Sequence, residues 1–164
     1  MAGASSEGSR RLSTLAVYDC MMFFRAASRP GRVRPIFDLV AEGSVTLCFS
    51  AAVLAEILDV LTRPKLVARY PALTAIAVDA FLTQFLRAAL WIADVPEAYV
   101  LERDPKDSKY INLAIASGAR FLVTSDLDLL ELMATESAAG RDFRSRFPDI
   151  QILTPADFQL RVRE

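Results

Sequence analysis

Five short apolar runs alternate with stretches of helical periodicity, and that alternation restricts the architecture of this chain more than any other feature. Leu15–Asp19, Val45–Phe49, Trp91–Val95, Phe121–Thr124 and Ile150–Leu153 read as buried strands. Between them, Val33–Ala41 fits a helix stopped by Gly43, and Ser50 is a ready N-cap for a helix over Ala51–Leu61. A shorter helical piece, Lys65–Tyr70, ends at Pro71. The long segment Ala72–Ala89 carries Leu73, Ile76, Ala77, Ala80 and Phe81 along one predicted face. Asp107 opens a helix that reaches Ser117, with Gly118 in the position of a C-cap glycine. A further helix is expected over Asp126–Met133, and Thr154-Pro155 supplies an N-cap and an N1 proline for a closing one.

The segment from Cys20 to Gly31 reads as a loop after the first strand, and Glu136–Asp149 as a mobile loop. Residues 1–13, rich in Gly, Ser and Ala, read as a flexible tail before a single domain over 14–164. Strands and helices joined by short links predict a three-layer α/β fold with a parallel sheet. No internal repeat interrupts this pattern.

On such a sheet, ligands bind beyond the carboxyl ends of the strands, and four acids are placed to meet there. Asp19 follows the first strand and Asp126 follows the fourth, while Glu56 and Asp107 lie on the helices that succeed strands. At about 100° per residue, the stripe of the Ala51 helix centres on Val53, Ile57 and Leu61. Glu56 lies at its margin beside Val60, and Asp59 on the far side. Asp107 is in phase with Ile111 and Ala114, whereas Lys109 points away. Asp126 aligns with Leu130 and Met133, and Asp128 lies across that helix. Each Asp at a helix start has a simpler role available as an N-cap, the commoner one for such a residue. Their joint placement at one sheet edge is what points to a site.

Gathered carboxylates repel one another unless a hard cation joins them, and Mg²⁺ or Mn²⁺ takes such oxygen ligands while keeping several waters. Such ions polarise a phosphodiester and lower the pKa of an attacking water, so no imidazole base is required. That matters because the chain has no histidine, which removes Ser-His-Asp and Cys-His pairs and His-bearing zinc sites. Its two cysteines, Cys20 and Cys48, sit in apolar surroundings and read as buried thiols. There is no G-x-x-x-x-G-K-[ST] loop and no G-x-G-x-x-G turn, so the cradles for nucleotide hydrolysis and dinucleotide binding are missing. An aspartate-nucleophile phosphatase wants a second acid where Met21 stands, and a receiver domain wants paired acids near the first strand.

The net charge of -1 supplies no global attraction to nucleic acid, so an RNA partner would need local basic patches. Arg25, Arg29, Arg32 and Arg34 form one run without an acid between Cys20 and Phe37, and Arg141, Arg144 and Arg146 form another. The longest apolar stretch, Leu73 to Val95, is interrupted by Asp79, Gln84, Arg87 and Asp94 and lacks the unbroken run of a membrane span. With no signal-like segment at the N-terminus, a cytoplasmic location is expected.

In their order, Val17-Tyr-Asp-Cys-Met21, Ser50 to Leu61, Arg103-Asp-Pro-Lys-Asp-Ser-Lys109, Leu122-Val-Thr-Ser-Asp-Leu-Asp128 and Ile152-Leu-Thr-Pro-Ala-Asp-Phe158 resemble the PIN-domain family. The likeness runs from about Leu15 to Leu160 and is nearest to the toxin components of bacterial toxin-antitoxin pairs, the VapC-type ribonucleases. It implies strand order 3-2-1-4-5, frequent homodimers, an antitoxin protein as partner, and Mg²⁺- or Mn²⁺-dependent endonuclease cleavage of RNA. By the same likeness, Asp19, Glu56, Asp107 and Asp126 are the metal-binding and catalytic acids, with Asp128 peripheral and Thr124 and Ser125 supporting. Arg25, Arg29, Arg32 and Arg34 are the first candidates to hold the RNA backbone. Where the family carries Thr-Asn after its first Asp, this chain has Cys20-Met21, losing a hydroxyl and an amide beside the acids. A catalytically weak module that binds RNA or protein without turnover is the alternative that this departure favours.

Overall fold

The structure is a computed structural model, and it describes residues 12–29, 31 and 33–164. Residues 1–11 of the expected tail, and Arg32, lie outside the described residues. Strands β1 (Thr14–Tyr18), β2 (Val45–Phe49), β3 (Leu90–Trp91), β4 (Phe121–Val123) and β5 (Gln151–Leu153) form one sheet in the order β3-β2-β1-β4-β5. All neighbouring pairs run parallel. The expected α/β class and strand order are therefore present. Chain direction across the sheet reverses between β1 and β4, which makes their carboxyl ends the switch point of the fold.

Helices α1 (Cys20–Ser28), α2 (Arg34–Ala41), α3 (Ala51–Leu61), α4 (Pro64–Arg69) and α5 (Ala75–Leu86) connect the first three strands. Helices α6 (Ser108–Ser117), α7 (Leu127–Leu130), α8 (Ala138–Arg146) and α9 (Pro155–Arg161) follow. Alternation along a strand sends Tyr18 and Phe121 to one face, where α2 and α9 cover them, while α6 lies against β1, β2 and β4 from the other side. Tyr18 is in edge contact with Phe37 and Phe158, and its hydroxyl donates to the Ile36 carbonyl at 2.7 Å. Helix ends follow the local chemistry: Ser50, Thr74, Ser137 and Thr154 each accept a backbone N–H in the first turn. Gly43 and Gly118 take positive φ of 80° and 71°, where a side chain would be strained.

Several boundaries differ from the sequence expectations. The segment after Asp19 is helix α1 rather than loop, started by the Asp19 side chain accepting from the Met22 N–H. Glu136–Asp149 is not a mobile loop: it holds α8, anchored by the fully buried Phe143 against Tyr99 and Phe147. Strand β3 is only Leu90–Trp91, at the edge, so the chain leaves the sheet before Val95. Helix α5 buries Val78, Leu82 and Phe85, and Ile76 on the expected face is 84% exposed. The helix after Asp126 stops at Leu130 and tightens into a 3₁₀ turn over Glu131–Met133. Both cysteines are free and buried. Among the described residues no helix is long and apolar enough to cross a membrane.

Candidate metal centre

Asp19 leaves the end of β1 directly at the switch point and is only 5% exposed. One carboxylate oxygen accepts from the Met22 N–H at 3.1 Å, and the other accepts from the hydroxyl of Thr124. Thr124, fully buried just past β4, accepts in turn from the Asp126 N–H at 3.0 Å. One hydroxyl thus joins the ends of two neighbouring strands. Asp126 begins α7, its Oδ1 accepting from the Asp128 N–H at 2.8 Å.

Asp107 reaches the same place along a different route. Asn112 of α6 accepts from the Ala98 and Tyr99 N–H groups at 3.0 and 2.9 Å, and Ser108 accepts from the Leu101 N–H at 2.8 Å. These bonds pin residues 98–101 to α6 and fix the direction of the following chain, Arg103-Asp104-Pro105, into the 3₁₀ turn Pro105–Asp107. Asp107 occupies the N-cap position of α6 but caps nothing with its side chain. The simpler role is not the one it takes. Instead Asp104, Asp107 and Asp126 each offer a carboxylate oxygen such that all three lie within 4.8 Å of one another.

The opposite wall comes from α3, whose buried stripe is Val53, Ile57, Val60 and Leu61 with Glu56 at its margin and Asp59 in water. Glu56 Oε2 forms an ion pair with the ammonium of Lys109, and Oε1 accepts from Cys20 Sγ at 3.3 Å. Together Asp19, Glu56, Asp104, Asp107, Ser125 and Asp126 line a cleft of about 380 Å³.

Burial and crowding hold two carboxyls of this cleft above their ordinary value. Burial raises the Asp19 carboxyl to about 6, against the Thr124 and backbone hydrogen bonds that pull it back. Burial also raises Asp107, together with the facing Asp126 and Asp104 carboxylates, to about 7. The Cys20 thiol is pushed up to about 12 by burial and the adjacent acids, which keeps it protonated at neutral pH in the metal-free protein. What remains is a set of hard oxygen donors, the kind that fits Mg²⁺ or Mn²⁺.

A pH dependence of stability follows. Both carboxyls bind protons more tightly in the folded chain than their ordinary value of 3.8, so folding takes up protons between about pH 4 and 7. Stability of the metal-free protein therefore falls as pH rises through that window and levels off above it. With no histidine in the chain, few other groups titrate from pH 5 to 7 to obscure the effect. Thermal melts in EDTA are expected to give a lower Tm at pH 7.5 than at pH 5.5; a Tm that climbs over this interval would contradict the assignment.

The cleft collects Asp19, Glu56, Asp107, Asp126, Ser125 and Arg25, with Thr124 immediately beneath. Asp128 faces the neighbouring cleft, 3.7 Å from Arg103, which also pairs with Glu131. Among the arginines, Arg25 donates to Ser125 Oγ at 3.0 Å at the cleft. Arg29 instead lies over the Tyr70 ring, and Arg34 is an exposed neighbour of Asp38. Asp104, Arg63 and Tyr110 also line the cleft and were not expected there. The three-residue spacing of Asp104 from Asp107, across a turn-forming proline, was the available signal for the first. Met21, at the family's Asn position, is 40% exposed at the rim.

A parallel five-stranded α/β sheet with carboxylates converging at its switch point defines a narrow class of protein. The family model for the PIN domain matches residues 16–128, and the chain belongs to the PIN domain family. No curated protein matches the chain significantly. Among solved structures, VapBC2 from Rickettsia felis, bound to a DNA fragment from its promoter, is similar with a TM-score of 0.53 and 17% identity. That match covers 86% of this chain and 98% of the other. PAE2754 from Pyrobaculum aerophilum is similar with a TM-score of 0.55 and 17% identity, over 92% of this chain and 90% of its own. At such identities the likeness is one of fold.

Proposed function

We propose that the cleft binds Mg²⁺ or Mn²⁺ and that the protein is a metal-dependent endoribonuclease, the toxin of a toxin-antitoxin pair. The observation that carries this reading is the convergence of Asp104, Asp107 and Asp126 beside the buried Asp19. Like charges at these distances are costly without a cation, and the Asp107 carboxyl, raised first by burial and then by the facing Asp126 and Asp104, records part of that cost. Membership of the PIN domain family supports the same chemistry. Resemblance to a Rickettsia felis VapBC2 complex supports an antitoxin partner, and a homodimer is part of the same reading.

Asp19, Asp104, Asp107 and Asp126 would hold the ion, with Glu56 completing the acidic wall. When bound, the ion supplies Lewis-acid polarisation of a phosphodiester and a more acidic water. The chain's own residues do the remaining work. Thr124 fixes the Asp19 carboxylate by donating to it, and by accepting from the Asp126 N–H it keeps both acids in one frame. Arg25, held by Ser125, presents its guanidinium at the rim for the phosphates of a single strand, while Arg63 lines the same cleft with its guanidinium paired to Asp59 at 2.7 Å. Cys20 keeps a hydrogen bond to Glu56 where the family hydroxyl is missing.

Incubating single-stranded RNA with the protein and Mn²⁺ is expected to give cleavage products, and EDTA to prevent them. Products that persist under chelation would exclude the mechanism. The second reading, a binding module with little turnover, rests on the apolar Met21 at the rim. It is the correct one if RNA is retained in a binding assay while no cation-dependent product forms.

A further inference from the structure

Glu56 differs from the other acids of the cleft in one respect: it already has a cation. Lys109, two residues beyond Asp107, sends its ammonium to Glu56 Oε2 while Cys20 Sγ donates to Oε1. Both side chains of the pair are largely withdrawn from water, at 27% and 23% exposure, so solvent screens the interaction less than at an open surface. Helical phase places Lys109 on the side of α6 away from Asp107, and its stem borders a separate hollow lined by Ser50, Val95 and Asn112. Lys109 is not among the residues that line the cleft, although its partner Glu56 is. Among the described residues, the three carboxylates that come within 4.8 Å of one another are Asp104, Asp107 and Asp126; neither Glu56 nor Asp19 is in that group, and of those two only Glu56 has an ammonium partner.

We propose that Lys109 serves as a tethered cation that neutralises Glu56, so that the site accepts one divalent ion, held by the aspartates, and Glu56 is a positioning residue rather than a ligand. This rests on the metal-binding reading given above. A second divalent ion would need the charge of Glu56 and would have to settle beside an ammonium, which repels it. Lys109 thus sets ion stoichiometry without touching the ion.

Equilibrium dialysis of the full chain against Mn²⁺, with free Mn²⁺ read by electron paramagnetic resonance, tests this without reference to activity. Wild type is expected to bind one Mn²⁺ per chain, and Lys109→Met to bind a second at comparable concentrations. Glu56→Gln, which leaves the Lys109 ammonium unpaired near the cleft, should weaken the first ion by less than Asp107→Asn, which should weaken it by at least ~10-fold. Two ions in wild type, a Lys109→Met isotherm that superimposes on wild type, or a loss in Glu56→Gln equal to that in Asp107→Asn would each overturn the proposal. Absence of Mn²⁺ binding in wild type would instead remove the metal reading, and this inference with it. Should Lys109→Met fail to fold, the wild-type stoichiometry and the Glu56→Gln isotherm still decide the question.

Discussion

Asp107→Asn is expected to reduce cation-dependent cleavage of single-stranded RNA by at least ~10²-fold, the scale on which a preorganised electrostatic contribution to a transition state is lost. The substitution is nearly isosteric, and because the Asp107 side chain caps no backbone donor, it should not cost a helix terminus. It does remove one of the charges that Asp104 and Asp126 oppose. The metal-free variant is therefore expected to melt at a higher temperature than wild type at pH 7.5, while losing the Mn²⁺-induced rise in Tm. Activity and metal-free stability should move in opposite directions, which a merely misfolded variant cannot reproduce. Wild-type cleavage rates in Asp107→Asn would sink the assignment of this acid.

Phe158→Ala is expected to cost about 3–5 kcal/mol, the usual range for deleting a buried aromatic ring. Phe158 is fully buried on α9, with its ring centroid 5.9 Å from that of Tyr18 and 5.2 Å from that of Phe121. It therefore joins the last helix to the two strands whose ends carry Asp19 and Thr124. Against total stabilities of about 5–15 kcal/mol, such a loss leaves many single domains partly unfolded at 37 °C. Urea unfolding followed by circular dichroism measures it directly. A loss below about 1 kcal/mol would mean that α9 is peripheral to the core.

The parallel α/β class and four of the cleft's acids, Asp19, Glu56, Asp107 and Asp126, were legible because their signals are local, whereas the strand order came from the family resemblance. A strand closing on an acid, a Ser before an apolar helix, and the stripe Val53, Ile57 and Leu61 each occupy a few consecutive residues, and each predicts direction correctly. Helix α1 was hidden because Cys20 to Phe24 continues the apolar run of β1, and Asp19 reads as a strand end before it reads as a cap. Helix α8 was hidden for the opposite reason, since Arg141, Arg144 and Arg146 make it look like solvated loop although Phe143 anchors it. On α5, small residues around Ile76 imitated a core face that tertiary packing assigns to Val78, Leu82 and Phe85.

The same division holds within the site. Phase arguments put Lys109 on the far side of α6 from Asp107, but only the approach of α3 reveals that Glu56 waits there. Contacts between elements carry no local signature. Asp104 belongs to this group as well, because its nearness to Asp126 depends on how Asn112 and Ser108 hold the preceding chain. Arg29 and Arg34 share a charge run with Arg25, yet the turn of the backbone sends them elsewhere.

The hydroxyl of Thr124 makes the cleft mechanically lopsided. Parting β1 from β4 would strip the buried Asp19 carboxylate of its Thr124 donor, a loss with little compensation from water at that depth. Across the cleft, α3 is anchored by the buried Val53, Ile57 and Leu61, and only the Glu56 side chain rests on one thiol and one flexible ammonium arm. Any adjustment to a bound polymer therefore falls to that one side chain and not to the strand ends beneath it.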